Sequence, residues 1–192
     1  MICPSPYSSR NQFGQLLNDR QLLGEAVEIG THQADFAQVF LDVWQGEKLY
    51  CVDPWSVPDG YESQVEQLWS SSSRSADKRI AISRLEKFGE RAELIEDLSI
   101  PASQRFHDAQ LDFVYIDGDH RCEEVKKDIS AWSPKVREGG IIAGHDFICP
   151  GEEPENWGRP IQRALSETLA VSRDVFVIVE ENGLPWSWYV VN

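Results

Sequence analysis

Groups of polar and acidic residues stand directly after five short apolar runs in the sequence. The groups are Gly30-Thr31-His32, Asp53-Pro54-Trp55, Glu96-Asp97-Leu98-Ser99, Asp117-Gly118-Asp119-His120 and His145-Asp146-Phe147. Short apolar runs of this kind are typical of buried strands, and in open α/β sheets ligands bind just beyond the carboxyl ends of the strands. A purely structural protein has no reason to gather carboxylates along one edge, so we expect a ligand site there.

Gly30 and Asp53 are spaced as in sites that bind a ribose. Gly30 ends the first run, where the backbone has to approach a ligand closely, and the next helix offers free N–H groups. Asp53 follows 23 positions later, about the distance at which a carboxylate after the second strand accepts hydrogen bonds from ribose hydroxyls. The alternative is an ordinary strand–turn–helix with a solvated aspartate. The segment GTHQAD lacks the GxGxxG pattern, and no phosphate-binding P-loop is present, which disfavours NAD and nucleoside triphosphates.

Carboxylates and imidazoles after the fourth and fifth predicted strands suggest a cation site and a base. Two converging carboxylates repel each other unless a cation neutralises them, and Mg²⁺ often takes only one or two protein carboxylates. Asp117, His145 and Asp146 are the candidate ligands, and the imidazole would shift the preference from Mg²⁺ toward Mn²⁺, Fe²⁺ or Zn²⁺. His120, three residues after Asp117, can accept a proton near neutrality. In the alternative interpretation, the aspartates only shape a polar pocket and His120 caps the next helix.

The apolar runs alternate with segments of helical periodicity, which predicts a parallel sheet covered by helices. Gly139-Gly140 is interpreted as a turn, and the last two strands as an antiparallel hairpin. The fold class predicted is α/β, a doubly wound, mostly parallel sheet of seven strands. The strands are predicted at 26–30, 48–53, 92–95, 111–116, 141–143, 175–180 and 187–191, and the helices at 35–44, 76–88, 123–132 and 162–171.

Length and composition limit the domain count and the classes of partner. The 192 residues fit one domain, 25–192, preceded by an extension or lid at 1–24. The net charge of -14 repels phosphates and anionic lipids, so we expect neither nucleic acid nor a membrane as a partner. No apolar run reaches the roughly 20 residues of a membrane helix. The four cysteines match no disulfide or zinc framework, which favours a reduced, cytoplasmic protein.

Five sequence motifs carry a family resemblance. VEIGTH, YCVDPW, KFGERAELIEDLS, DFVYIDGDH and GGIIAGHDF resemble those of class I S-adenosylmethionine-dependent methyltransferases. The chain is most similar to the small O-methyltransferases of the catechol, macrocin and mycinamicin type, over residues 25–191. The resemblance implies a Rossmann-like fold and methyl transfer from S-adenosylmethionine to a hydroxyl of a small molecule. It also implies that Mg²⁺ or Mn²⁺ assists, and that the protein forms a homodimer, as relatives of this size often do.

The resemblance also assigns residues to the cofactor. Asp117 would face the methionine end and the substrate, His120 would be the general base, and Asp117 with His145 and Asp146 would hold the metal. The first motif departs from the family pattern, because Gln33, Ala34 and Asp35 occupy a turn in which many relatives have a further Gly or Ser. An Asp35 carboxylate that pointed inward would lie near the cofactor's carboxylate and weaken binding. The other residues assigned to the cofactor are Glu28, Gly30 and Thr31 for the methionine moiety, Asp53 for the ribose, and Trp55, Asp97, Leu98 and Ser99 for the adenine side.

Two other functions fit the same sheet. One is a non-catalytic cofactor-binding domain, and the other is a nucleotide-dependent oxidoreductase, against which the missing GxGxxG argues. The acceptor is not specified by any motif, so a sugar, a phenol, a carboxylate or an amine all remain open. We expect the N-terminal extension and the segments 55–75 and 149–160 to select it. The segment 149–160 is interpreted as a gating loop, with a disordered surface loop as the alternative. Trp55, Trp69 and Trp157 could stack on an acceptor there, with packing as the alternative.

Overall fold

A computed structural model of the protein describes residues 1–56, 71–147, 158–169, 173–179 and 186–192. The strands are β1 Ile2–Pro4, β2 Glu25–Ile29, β3 Lys48–Val52, β4 Ala92–Ile95, β5 Leu111–Ile116, β6 Val136–Gly144, β7 Val175–Ile178 and β8 Ser187–Val191. The helices are α1 Phe13–Asp19, α2 Asp35–Val43, α3 Ser71–Leu85, α4 Ser99–Ser103, α5 Cys122–Trp132 and α6 Gly158–Thr168.

The strands form one mixed sheet in the order β1-β7-β8-β6-β5-β2-β3-β4. From β6 to β4 all neighbours are parallel, and β8 is inserted antiparallel between β6 and β7. The doubly wound, mostly parallel sheet with its antiparallel C-terminal pair is confirmed. The eighth strand, β1, comes from the segment predicted as an extension, and it pairs in parallel with β7.

The chain reverses direction across the sheet between β2 and β5. It runs from β2 to β3 and β4 on one side, then returns to β5 and continues to β6 on the other. All six residues of β5 are buried, because the strand has neighbours on both edges and helices on both faces. In such sheets the reversal point opens a crevice at the carboxyl ends of the two strands. The loops after β2 and β5 therefore define the place where a ligand fits.

Two apolar cores cover the two faces of the sheet. Side chains alternate along a strand, so in β2 Val27 and Ile29 enter one core and Ala26 enters the other. The second core is closed by α2, which buries Phe36, Ala37, Phe40 and Leu41 on one side. Within the described residues, no helix has the length and apolar character needed to cross a membrane.

The N-terminal segment is built into the second core. Phe13 is completely buried, and its ring lies 5.5 Å from that of Phe113 and 5.6 Å from that of Tyr115 between ring centroids. Leu16 and Leu17 of α1 are buried beside it. Burial of a side chain of this size is worth about 1.5–3 kcal/mol, so α1 is firmly attached to the sheet.

The predicted turn at Gly139-Gly140 is wrong. Both glycines lie inside β6, where the pairing with β5 shifts register between Leu111 and Phe113. Gly139 has a φ of 76°, and a Cβ on Gly140 would lie 2.9 Å from the backbone oxygen of Asp112. The two glycines thus form a bulge within a continuous strand, an alternative that the sequence signal for a turn does not separate.

Candidate active site

The turn after β2 is pressed against the end of β5. Gly30 has a φ of 86°, and a Cβ at this position would lie 2.2 Å from the backbone oxygen of Asp117. The Asp117 amide donates to Ile29 O at 2.9 Å, and the Gly30 amide donates to Val52 O at 2.9 Å. The close approach that requires glycine is therefore made by the chain's own backbone, whereas the sequence pattern had suggested a ligand.

Asp53 is buried at the end of β3 and held by two backbone amides. Its Oδ2 accepts from the His32 amide at 2.8 Å and its Oδ1 from the Trp55 amide at 2.7 Å. Each carboxylate oxygen keeps further acceptor capacity, as the predicted role toward ribose hydroxyls requires. The involvement of His32 was missed by sequence reasoning, because a backbone donor leaves no signal in residue type.

Trp55 joins the turns after β2 and β3. Only 5% of its surface is exposed, and its indole N–H donates to the His32 carbonyl at 2.8 Å. The Lys78 ammonium lies 5.8 Å from the ring centroid. The packing role that the sequence left open for this tryptophan is thus present in the structure, and its contact with adenine stays a prediction.

Three of the four residues assigned to the adenine side follow β4 directly and make different contacts. Asp97 accepts from the Leu98 amide at 2.9 Å and pairs with Arg105 at 3.0 Å, while Leu98 is 45% exposed. The Ser99 hydroxyl donates to the carboxylate of Asp128, and the Ser99 oxygen accepts from Trp132 Nε1 at 2.9 Å; both partners lie on α5. Their contacts with a cofactor remain predictions.

Glu28 is a buried carboxylate with an unused acceptor. It is 2% exposed, and its Oε2 has no hydrogen-bond partner among the described residues. Burial raises the pKa of Glu28 well above its usual value, and the Thr31 side chain and the Arg10 charge oppose that rise. Because an unsatisfied buried acceptor is costly, this site fits a ligand that brings a donor, such as the ammonium of the cofactor's methionine end.

Asp117, His120 and Asp146 converge beyond the ends of β5 and β6. One ligand atom from each lies within 4.8 Å of the others, and His120 Nδ1 is 2.9 Å from Asp146 Oδ2. His145 stands beside them, with Nδ1 3.6 Å from Asp117 Oδ1 and 3.5 Å from Asp146 Oδ1. The structure thus brings all four predicted residues together. Two carboxylates and an imidazole are a donor set that fits a divalent cation, with His120 rather than His145 in the most compact group.

The charges in this cluster act on one another. Burial lowers the pKa of His120, but the hydrogen bond and charge of Asp146 outweigh it, so the pKa is raised above 6.5. Burial raises the pKa of Asp146, and the hydrogen bonds from His120 and His145 reverse this, leaving the pKa lowered. The pKa of Asp117 is raised, chiefly by burial. His120 is consequently held by a carboxylate that stays ionised, as a positioned base requires.

Arg10 is a site residue that sequence reasoning missed. Its Nη1 lies 3.2 Å from Asp117 Oδ2, although 107 positions separate the two residues. The available signal was weak, a basic residue in the segment predicted as a lid.

Asp35, which departs from the family pattern, is held outside the site by another arginine. Its side chain is 65% exposed and pairs with Arg84 at 2.7 Å. Its carboxylate therefore points away from the site.

Part of the predicted specificity region lies outside the described residues. This applies to Trp69 and Trp157 and to most of the segments 55–75 and 149–160.

Comparison with known proteins identifies the family. A family model described as a methyltransferase domain matches residues 27–147, which include the turn after β2 and the whole Asp117–His120–Asp146 cluster. No curated protein sequence matches the chain.

Solved structures share the fold. An O-methyltransferase from Bacillus cereus, in complex with S-adenosylhomocysteine, is 18% identical over 99% of this chain and 83% of that chain, with a TM-score of 0.66. The O-methyltransferase TomG from Streptomyces achromogenes, involved in tomaymycin synthesis and bound to S-adenosylmethionine, is 16% identical over 95% of this chain and 79% of that chain, with a TM-score of 0.64. At these identities the likeness shows the fold alone. With the family match, it shows that the chain belongs to the methyltransferase domain family and has the fold of class I S-adenosylmethionine-dependent methyltransferases.

Proposed function

We propose that the protein transfers a methyl group from S-adenosylmethionine to a hydroxyl of a small molecule, with His120 as the general base. The observation that carries this proposal is the 2.9 Å contact of His120 Nδ1 with Asp146, beside Asp117 at the end of the central strand. The likeness to two O-methyltransferases supports a hydroxyl acceptor.

Residues at the ends of β2 and β3 bind the cofactor in this proposal. S-adenosylmethionine supplies an electrophilic methyl group on a sulfonium, which the acceptor oxygen takes while the carbon–sulfur electron pair stays on sulfur. Glu28 accepts from the ammonium with its unused oxygen. Asp53, fixed by two backbone amides, accepts from the ribose hydroxyls.

His120 removes the acceptor's proton. Its Nδ1 is engaged by Asp146, so Nε2 is the atom that takes the proton of the hydroxyl. The side chain is 34% exposed, which leaves it accessible from the crevice. Asp146 holds the ring in orientation and stabilises the imidazolium that forms, and a positioned base of this kind contributes about 10²–10⁴ in rate.

A divalent cation would be held by Asp117 and Asp146 with one of the two histidines. Such an ion, when bound, makes a hydroxyl more acidic. If the histidine is His145, His120 keeps its role as base. If it is His120, the ring is not free to act as the base, and the cation would instead make the acceptor hydroxyl acidic enough to lose its proton to water.

The test is cofactor binding followed by turnover. EDTA-treated protein is melted with S-adenosylhomocysteine or NAD, each with and without Mg²⁺ or Mn²⁺. At 100 times its Kd a ligand stabilises the native state by about 2.7 kcal/mol, a shift of several degrees. We expect a shift with S-adenosylhomocysteine and none with NAD. No shift with S-adenosylhomocysteine at millimolar concentration would contradict the proposal.

Turnover is then measured with radiolabelled S-adenosylmethionine and a panel of phenols, hydroxylated sugars, carboxylic acids and amines. Transfer to a hydroxyl compound supports the proposal. Transfer to amines alone would assign N-methylation instead.

A further inference from the structure

Arg10 is held at the site by a short segment that is anchored at both ends. Before it, β1 pairs with β7, and the Ser5 amide donates to Val177 O at 2.9 Å. After it, Phe13 is buried in the core. Between them, Arg10 begins a 3-10 turn whose N-cap is Ser9, with the Ser9 side chain accepting from the Asn11 amide. The position of Arg10 is therefore set by the fold.

The guanidinium acts on residues of both central strands. It pairs with Asp117 at 3.2 Å, at the end of β5. Burial raises the pKa of Glu28 on β2 and of Tyr115 on β5, and the charge of Arg10 opposes both rises. Its side chain is 28% exposed, so part of it faces the crevice. Arg10 thus lies over the point at which the strand order reverses.

Apart from Arg74, which interacts with Asp53, this part of the site is acidic. Burial raises the pKa of Glu28, and the charges of Asp117 and Asp53 raise it further, so both of these carboxylates lie near Glu28. These carboxylates attract a ligand ammonium, but they would repel a ligand carboxylate unless a cation lay beside it. A guanidinium has five donors in a planar fork, so it can keep Asp117 and bind a second carboxylate.

We propose that Arg10 binds the carboxylate of the cofactor's methionine end, which makes the N-terminal segment part of the cofactor site. This inference rests on the proposed function. Glu28 then receives the ammonium and Arg10 the carboxylate, so the two charges of one amino acid are recognised by opposite charges from β2 and from the N-terminal segment.

The test compares two ligands that differ at the amino-acid end. S-adenosylhomocysteine carries the carboxylate, and 5′-methylthioadenosine lacks the whole amino-acid group. Calorimetric titration of Arg10→Gln is expected to show S-adenosylhomocysteine weakened by about ten- to a hundredfold, the usual range for a charge-assisted pair, with 5′-methylthioadenosine within about twofold of wild type. Arg10→Lys should lose less, because it keeps the charge without the fork.

A matched control is Arg163→Gln. Arg163 is an exposed arginine on α6 that pairs with Glu167 at 2.7 Å, and its loss should leave both affinities unchanged. If Arg10→Gln binds S-adenosylhomocysteine as tightly as wild type does, the proposal is overturned. This holds even if the KM for the acceptor rises. Equal weakening of both ligands would also overturn it by assigning Arg10 a structural role. A wild-type protein that binds neither ligand would instead refute the proposed function itself.

Discussion

His120 owes its chemistry to the side chains that surround it. Asp146 holds Nδ1 at 2.9 Å, and Asp117 and Asp119 add negative charge, so the pKa of His120 is raised in spite of burial. A histidine with this environment is a stronger base than an isolated one, and its ring has a defined orientation.

Replacing His120 tests this role directly. We expect His120→Ala to lower kcat by about 10²–10⁴, with the Kd for S-adenosylhomocysteine changed by less than about threefold, because in the proposed mechanism the side chain meets the acceptor and not the adenosine. The measurements are steady-state kinetics and calorimetry. His107→Ala, at an exposed histidine that precedes β5, whereas the cluster follows that strand, is the control. A variant at His120 with wild-type kcat would remove this residue from the mechanism.

Asp128 is a buried carboxylate whose protonation should affect stability. Burial raises its pKa to about 6 from an ordinary value of 3.8, although the Ser99 hydroxyl opposes the rise. A carboxyl with a raised pKa in the folded state stabilises the protein below about pH 4 and loses that contribution as pH rises to about 6. The loss amounts to about 3 kcal/mol at neutral pH.

Asp128→Asn removes this penalty. The variant should be more stable than wild type at pH 7.5 by up to about 3 kcal/mol, and the difference should shrink as pH falls toward 4. Urea unfolding at a series of pH values measures it. Glu123→Gln, at an exposed carboxylate on the same helix, should show no such trend. A difference that is independent of pH would mean that the charge of Asp128 is not what costs stability.

At the scale of secondary-structure elements, the contact between the turn after β2 and the end of β5 holds the site together. Gly30, His32 and Ala34 all have positive φ, of 86°, 50° and 63°. Left-handed backbone at two non-glycine residues is costly, and such strain is found where a turn must hold a fixed shape. The turn is thereby brought against Asp117, and the groups that follow two different strands share one crevice.

Gly30→Ala should disrupt this contact. The new Cβ would meet the Asp117 carbonyl at 2.2 Å, and neither backbone can move without breaking sheet hydrogen bonds. We expect a loss of about 3 kcal/mol or more in the free energy of unfolding, from backbone strain and overpacking together. Gly139→Ala is matched, because Gly139 also has positive φ but open space around it. It should cost only about 1–2 kcal/mol, and equal losses would show that the contact with Asp117 does not matter.

As a whole molecule, the protein combines a strongly acidic surface with an acidic active site. The net charge is -14, and Glu28, Asp53, Asp117 and Asp146 all belong to the site. In that setting one arginine at the crevice has a large effect on which ligands bind, whereas the surface as a whole repels polyanions.

We therefore expect no binding of nucleic acid at physiological salt. Fluorescence anisotropy with a labelled duplex or single strand should show no change at micromolar protein, because a protein with a net charge of -14 repels the phosphates. A basic protein of similar mass serves as the positive control. Binding that weakens steeply with salt would contradict this prediction and indicate a basic groove in a part of the chain that the structure does not describe.

All strands of the sheet except β1 can be predicted from the sequence, because strand signals depend on local residues. The continuous apolar run at β5 and the alternation of strands with amphipathic helices specify the doubly wound architecture. The residues after each strand could also be predicted to meet, since parallel strands bring their carboxyl ends to the same edge. This reasoning predicts the group of Asp117, His120, His145 and Asp146 that the structure brings together.

Contacts between residues that are distant in the chain, and contacts made by the backbone, can be identified only from the folded structure. Arg10 reaches Asp117 across 107 positions, His32 holds Asp53 through an amide, and Gly30 is required by the Asp117 carbonyl. The glycines 139 and 140 form a bulge because a partner strand continues past them, which no local pattern reveals. Residue type and spacing do not identify the partner in any of these contacts, because a side chain or amide gains its role only from the partner that folding brings beside it.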